Sequence, residues 1–422
     1  MTGADADLDI SWLARQRWFR SKQRRIVTLT EVDRAELPPA TLTVLEAAYA
    51  DGAESDRYLV PVVGAREPAD GDGAWSALVD AIGSGSVIEG RAGHFVATTG
   101  IAFSDLRPDA PTERRLGVEQ SNTSVVVGER LILKLYRLLE PGENPEVEIG
   151  AFLTDASFAD TPPVAGALRY VAEGREPAAA AMLQAYVPTR GDAWATMLDA
   201  LADDPQRATR LAATLGSLTA RMHAALASRP DHPDFPVRVA SSDDTRAWRA
   251  SAAAQLAGAI ASVSGKANER LVALGPRVLE RFAVGFESAG HDDVISRIHG
   301  DYHLGQLLAR PDGGFSIIDF EGEPARPLAE RRRPASPLRD VAGMLRSLDY
   351  AARTAERSAS IDAATWLPQA RAAFLDAYGM DGPLVEAFEL EKACYEVRYE
   401  ANNRPDWLWL PLDAIERLVG AP

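Results

Sequence analysis

Three oxygen-bearing side chains fall close together in RIHGDYHLGQLLARPDGGFSIIDFEGEP, residues 297–324: Asp301, then Gln306, then Asp319. QLLAR and FSIIDF flank PDGG, and an Asp-Gly pair between two apolar runs is a strong hairpin signal. A two-residue turn at Asp312-Gly313 sets Gln306 opposite Asp319, with Asp301 just upstream. Facing residues of an antiparallel pair lie ~4.5–5.5 Å apart at Cα. A carboxylate and an amide oxygen placed this way suit a hard cation such as Mg²⁺, usually held by one or two carboxylates together with substrate phosphates. A metal bound through phosphate implies a nucleotide. A Zn²⁺ site built from His299 and His303 is the competing idea, but no third nitrogen or sulfur ligand stands near them.

A second candidate lies upstream in SNTSVVVGERLILKLYRLL. With Gly128 and Glu129 as the turn, Lys134 faces Thr123 beside the polar loop Gln120-Ser121-Asn122. A lysine opposite such a loop is placed to hold phosphates that the loop's N–H groups also approach. A solvated surface lysine is the alternative. The following EPGENPEVEIGAFLTD reads as a helix with Pro145 in its first turn, and it offers Glu146 and Glu148 as ion-pair partners.

The elements that must position these groups divide the chain in three. Residues 1–110 alternate strand-like runs with turns, as in TLTVLEAAY, RYLVPVVG and HFVATTGIAF, and read as a β-rich cap. The aromatic, basic stretch Trp12 to Arg25 caps a sheet or docks a partner. Residues 111–187 read as a small α/β lobe. Residues 188–422 carry Ala/Leu-rich helical periodicity in PQRATRLAATLGSLTARMHAALAS, ATWLPQARAAFLDAY and PLVEAFELEKACYEVRYEANNRP, with residues 297–324 an island of strand signal among them.

Composition narrows the class. The 422 residues are 46% hydrophobic and 25% charged, with a net charge of -16, which disfavours general binding to nucleic acid or anionic lipid. The single cysteine, Cys394, rules out an intramolecular disulfide or a multi-cysteine metal site. No signal-like start and no apolar run of membrane-spanning length is visible, so a cytoplasmic protein is expected.

Taken together, Lys134 in LILKLY, Glu148 in NPEVEIG, HGDYHLGQ and IIDFEGEP resemble the phosphate lysine, helix glutamate, catalytic loop and metal aspartate of the protein-kinase-like fold, in its aminoglycoside-phosphotransferase form. Gln306 stands where the general pattern has Asn, and Glu321 where it has Gly. The longer strings EQSNTS, DFEGEPARPLAERRRPASPLRDVAGMLRS and YEANNRPDWLWLPL are similar to the maltokinases and the actinobacterial glucosamine kinases, from about residue 12 to the C-terminus. The resemblance implies an α+β, bilobal protein-kinase-like fold with a β-rich N-terminal cap and a mostly helical C-terminal lobe. It implies ATP and Mg²⁺: Asp301 as the base, Gln306 and Asp319 as metal ligands, and Lys134 paired to Glu148 on the phosphates. Ser121, Asn122 and Thr123 would line the nucleotide, and Gln184, Tyr186 and Val187 would meet adenine.

A sugar hydroxyl is the acceptor the resemblance implies. Its contacts are drawn as His303, Glu321, Glu396, Glu400, Asn403 and Trp407, although His303, like His299, reads first as a support for Asp301. Glu396 and Glu400 share a helix face at i, i+4, and Trp407 and Trp409 follow Pro405. A solvated face and core tryptophans are the plain alternative. An acidic cluster of Glu396, Glu400 and Asp406 would favour an amine, though maltokinases resemble it here. A compact first unit and the Asn402-Asn403 and Trp409 departures from the maltokinase tail place glucosamine yielding glucosamine 6-phosphate narrowly ahead of maltose yielding maltose 1-phosphate. An inactive binding module would be expected to lose Lys134, Asp301 or Asp319, and all three are present. Arg331, Arg332 and Arg333 are expected to pair with acidic neighbours.

Overall fold

The computed structural model describes residues 8–109, 111–117, 121–290, 293–324, 326–358 and 361–420. Contacts divide the chain into two compact units. One is Met1–Pro188 with Ala325–Arg331, and the other is Thr189–Pro324 with Arg332–Pro422.

The first unit opens with helix α1 (Ile10–Arg15) and an antiparallel meander of β1 (Ile26–Leu37), β2 (Ala40–Tyr49) and β3 (Asp56–Val62). Trp18 and Phe19 are buried against Leu45, Tyr58 and Val60, so the aromatic N-terminal stretch caps this sheet. Helix α2 (Ala74–Ser84) follows, a helix within the expected β-rich region. Glu113 fixes its start by accepting from the N–H groups of Gly71, Gly73 and Ser76 and from the Ser76 hydroxyl.

The strands β4 (Val87–Glu89), β5 (Gly93–Thr99), β6 (Glu113–Leu116), β7 (Asn122–Val127), β8 (Leu131–Tyr136), β9 (Val164–Ala172) and β10 (Ala178–Ala185) form one sheet in the order β4-β5-β9-β10-β8-β7-β6. Helix α3 (Pro145–Asp155) begins as its sequence asks: the Asn144 side chain accepts from the Glu146 N–H, and Pro145 takes the first turn, where no N–H is needed.

Alternation along a strand decides which face each side chain serves. Leu131, Leu133 and Leu135 join Val125, Val127 and Leu183 in the core under α2, with Trp75, Leu78 and Ile82. Tyr136 and Met182 pack instead with Val147 of α3. Lys134 shares the parity of Tyr136 and therefore stands on the α3 face.

The second unit is mainly helical: α4 (Ala193–Asp203), α5 (Pro205–Leu226), α6 (Ser242–Ser262), α7 (Gly265–Glu287), α8 (Leu338–Ser358), α9 (Ala363–Tyr378), α10 (Pro383–Asn403) and α11 (Trp409–Val419). Side-chain caps from Asp192, Asp204, Ser241 and Asp362 start four of them. A short hairpin of β11 (Leu307–Ala309) and β12 (Phe315–Ile317) interrupts the helices, where the sequence places strand signal. No helix of the described residues is long and apolar enough to cross a membrane.

Helix α10 is buried over most of its surface, including the acids Glu389, Glu391 and Glu400. Glu389 receives both arms of Arg371, at 2.6 and 2.8 Å. Glu391 lies 3.0 Å from Arg339 and accepts from Ser251. Cys394 is buried, and burial pushes its thiol pKa well up, which makes it a structural thiol.

Candidate active site

The hairpin joining β11 and β12 is one residue out of step with the sequence expectation. Leu307 pairs with Ile317 and Ala309 with Phe315, so Gln306 stands level with Ile318 rather than Asp319. The cause is the turn. Pro311, Asp312 and Gly313 form a three-residue loop in which the Gly313 N–H donates to Arg310 O, Gly313 adopts φ 89°, and the Asp312 carboxylate accepts from the Gly314 N–H. Proline presets the first turn position and glycine supplies the left-handed one.

Gln306 and Asp319 nevertheless meet. Asp319 leaves the strand in a left-handed conformation, φ 66°, and its Oδ2 accepts from Gln306 Nε2 at 3.2 Å. A non-glycine residue held there costs on the order of 1–3 kcal/mol and tends to sit at functional positions. Glu321, buried, places a carboxylate oxygen within 4.8 Å of one from Asp319. An all-oxygen set of two carboxylates and an amide fits Mg²⁺.

Asp301 sits on a tightly anchored loop. The carboxylate of Asp340, in the first turn of α8, accepts from the N–H groups of His299 and Gly300 at 2.8 and 2.9 Å. Asp340 also meets His223 Nε2 at 3.2 Å, and His223 Nδ1 meets the Tyr378 hydroxyl at 3.0 Å. Burial opposes the ionised form of Asp340, but these partners outweigh it and hold its carboxyl below the ordinary range. Gly300 adopts φ 84°, and a Cβ there would lie 3.2 Å from Gly322 Cα, so the loops carrying Asp301 and Asp319 touch at two glycines.

Both loop histidines are supports. His299 Nε2 lies 2.9 Å from Ile318 O, and His303 Nδ1 accepts from the Gly305 N–H at 3.0 Å. Burial lowers the His303 pKa, which keeps the ring neutral and able to accept. Neither histidine joins a metal-competent cluster among the described residues.

In the first unit the expectation that Lys134 faces Thr123 is corrected. Lys134 pairs with Ser124, and Thr123 pairs with Leu135. Gly128 and Glu129 both take positive φ, and Val127 pairs with Leu131, so the loop holds three residues rather than two. Thr123 thus points to the opposite face, where its hydroxyl accepts from Arg137 Nε at 2.8 Å. Asn122 faces Tyr136, on the Lys134 side, and Ser121 directly precedes it; Gln120 lies outside the described residues.

The carboxylate 2.8 Å from Lys134 Nζ belongs to Glu146, which also accepts from the Tyr136 hydroxyl. Glu148, the partner expected from the resemblance, sits half-buried two residues further along α3. Gln184 pairs with Ile132 near the end of β10, the Tyr186 N–H donates to Arg130 O, and half-buried Val187 follows.

The acceptor candidates on α10 are not a solvated face. Glu396 is held by Arg346 Nε at 2.9 Å, and burial raises its pKa against that pairing. Glu400 accepts from the Tyr350 hydroxyl and Arg404 Nε, both at 2.9 Å. In this structure both carboxylates are paired with arginines. Trp407 stacks on Tyr350 at 6.4 Å, and the Asn403 side chain donates to Tyr399 O. Arg331 pairs with Glu140 at 3.1 Å, and Arg332 lies 3.7 Å from Asp234.

Two contributors escaped the sequence reading. Asp340 anchors the loop at Gly300 from 40 residues away in sequence, and only the fold reveals it. Lys392 lies 3.8 Å from Asp301 Oδ1. It stands one helical turn before Glu396, so extending the i, i+4 stripe backwards would have found it.

Comparison with known proteins decides the family. Residues 112–385 match the model described as "Phosphotransferase enzyme family", and residues 12–90 match "Maltokinase N-terminal cap domain". The chain belongs to the phosphotransferase enzyme family. A glucosamine kinase of Streptacidiphilus jiangxiensis is 34% identical over 394 residues, covering 85% of each chain. One from Mycolicibacterium smegmatis is 26% identical, covering 84% of this chain and 90% of its own. A solved glucosamine kinase in complex with glucosamine, ADP and inorganic phosphate superposes with a TM-score of 0.74 at 28% identity, over 98% of each chain. This phosphotransferase therefore has a kinase-like fold with an N-terminal β region and a helical C-terminal part.

Proposed function

We propose that this phosphotransferase transfers the γ-phosphoryl group of ATP to a hydroxyl of glucosamine. The observation that carries the reading is the likeness to glucosamine kinases along nearly the whole chain, including the α10 region expected to meet the acceptor.

In the reaction, the acceptor oxygen bonds to the γ-phosphorus, the bond from that phosphorus to the ADP oxygen breaks, and the hydroxyl proton passes to the Asp301 carboxylate. Such transfer relies on positioning and charge stabilisation, with little covalent work for the protein. Asp340 contributes by fixing the backbone that carries Asp301. Lys134, held by Glu146, takes the phosphates, with Ser121, Asn122 and Glu148 nearby in sequence and Gln184, Tyr186 and Val187 toward the base. Gln306, Asp319 and Glu321 would hold Mg²⁺, which supplies charge neutralisation to the phosphates. His303, Asn403 and Trp407 are assigned to the acceptor side, where Glu396 and Glu400 act through their arginine partners. The site takes small molecules, a sugar and ATP.

The match of residues 12–90 to the maltokinase cap favours maltose as a second reading. Incubating the protein with ATP, Mg²⁺ and glucosamine, maltose or glucose, and following products by ³¹P NMR, separates the two. A phosphate monoester on glucosamine is expected. A product on maltose alone would replace the first reading with the second, and no sugar phosphate from any of them would defeat both.

A further inference from the structure

Helix α10 presents one partly open stripe, spaced at i, i+3, i+4, i+7 and i+11: Lys392, Tyr395, Glu396, Tyr399 and Asn403. Ala393, Cys394 and Val397, between its first members, are fully buried, whereas Arg398 and Asn402 are exposed beside it. Lys392 begins the stripe. Its ammonium lies 3.8 Å from Asp301 Oδ1, with 29% of the lysine side chain and 27% of the aspartate exposed. The same ammonium stands 4.7 Å from the centre of the Tyr395 ring, which steers it.

We propose that Lys392 is a positioning residue for phosphoryl transfer, fixing the Asp301 carboxylate by its Oδ1 so that Oδ2 is presented to the acceptor hydroxyl. The proposal rests on the reading of Asp301 as the base. Asp301 lies on a loop that touches the one carrying Asp319 and Glu321 at Gly300 and Gly322. The Asp301 side chain is partly open and can rotate away from the acceptor, and one cation on a packed helix opposes that.

The charged and titratable neighbours of the pair come from three segments. His299, His303 and Asp319 come from the catalytic and metal loops, Glu323 from the segment after them, and Tyr395 and Glu396 from α10. Glu396 is paired with Arg346, and the Lys392 charge reaches it as well as Asp301.

The experiment compares full-length wild type with Lys392→Met, Lys392→Gln, Lys392→Arg and Asp301→Asn in steady-state kinetics across pH. Lys392→Met is expected to lower kcat about 100-fold, the scale of a misplaced reacting group, while KM for ATP stays near wild type. Lys392→Arg should restore most of the loss. Lys392→Gln should show a loss of the same order, again with KM for ATP near wild type. A kcat within about twofold of wild type in both neutral variants, or a loss that arginine does not rescue, would overturn the proposal. If Lys392→Met does not fold, the Gln and Arg variants decide it. If wild type phosphorylates no amino sugar, the acceptor assignment fails separately. The same variants then decide the role of Lys392 through slow ATP hydrolysis, in which water replaces the sugar and still gives its proton to Asp301.

Discussion

At the scale of single residues, the constellation depends on backbone anchors more than on direct side-chain contacts among the reacting groups. Asp340 accepts two N–H bonds from the loop that carries Asp301. Asp340→Ala leaves the buried His299 donor and the part-buried Gly300 donor unpaired, at about 1–3 kcal/mol each. It should lower the urea unfolding free energy by roughly 2–5 kcal/mol and reduce kcat with it. Asp319→Ala should abolish Mg²⁺-dependent ADP binding in calorimetry, and unchanged affinity would remove Asp319 from the metal set. The pairing of Gln306 with Asp319 was legible in the sequence although its geometric reason was not. A PDGG turn is compatible with two-residue and three-residue loops, and the left-handed Asp319 restores a contact that the register shift would otherwise lose.

At the scale of elements, helices were read more securely than registers. Proline and asparagine at the start of α3, and aspartate before α5, are local signals that tertiary contacts did not override. Strand pairing is different: one added loop residue moves every side chain to another partner, which is why Thr123 and Lys134 ended on opposite faces. Helix α10 shows a further limit of sequence. Whether its acids are solvated or paired is decided by α8, which supplies Arg346, fully buried between Asp349 and Glu396. Arg346→Met takes the arginine from Glu396, while Asp349 keeps Arg417, and should destabilise the protein by about 3–5 kcal/mol, read from denaturant unfolding. In the cap, Asp33 accepts from the N–H groups of Arg34, Arg91 and Ala92 and from the Tyr170 hydroxyl. Burial works against the Asp33 carboxylate, but its donors, Ala92 first, outweigh it and lower its pKa. Its stabilisation is therefore full above the unfolded value of about 3.9 and lost as pH falls through the lower folded value. Wild type should lose stability more steeply than Asp33→Asn below about pH 4, and parallel acid curves would contradict this.

At the scale of the molecule, the Lys134–Glu146 pair belongs to the first compact unit, and Asp301, Gln306, Asp319 and Lys392 belong to the second. The change from strand-rich to helical composition was visible in sequence because it is a change of periodicity. The sheet that runs through β4 and β5 into β6–β10 was not, because strands distant in sequence complete it. The central claim is that Asp301 receives the acceptor proton during phosphoryl transfer. Glucosamine-dependent ADP release by wild type and Asp301→Asn, measured beside calorimetric binding of MgADP, tests it most directly. The account predicts robust release by wild type, a loss of roughly 10²–10⁴-fold in the variant, and unchanged MgADP affinity. Turnover by Asp301→Asn within a few fold of wild type would contradict it.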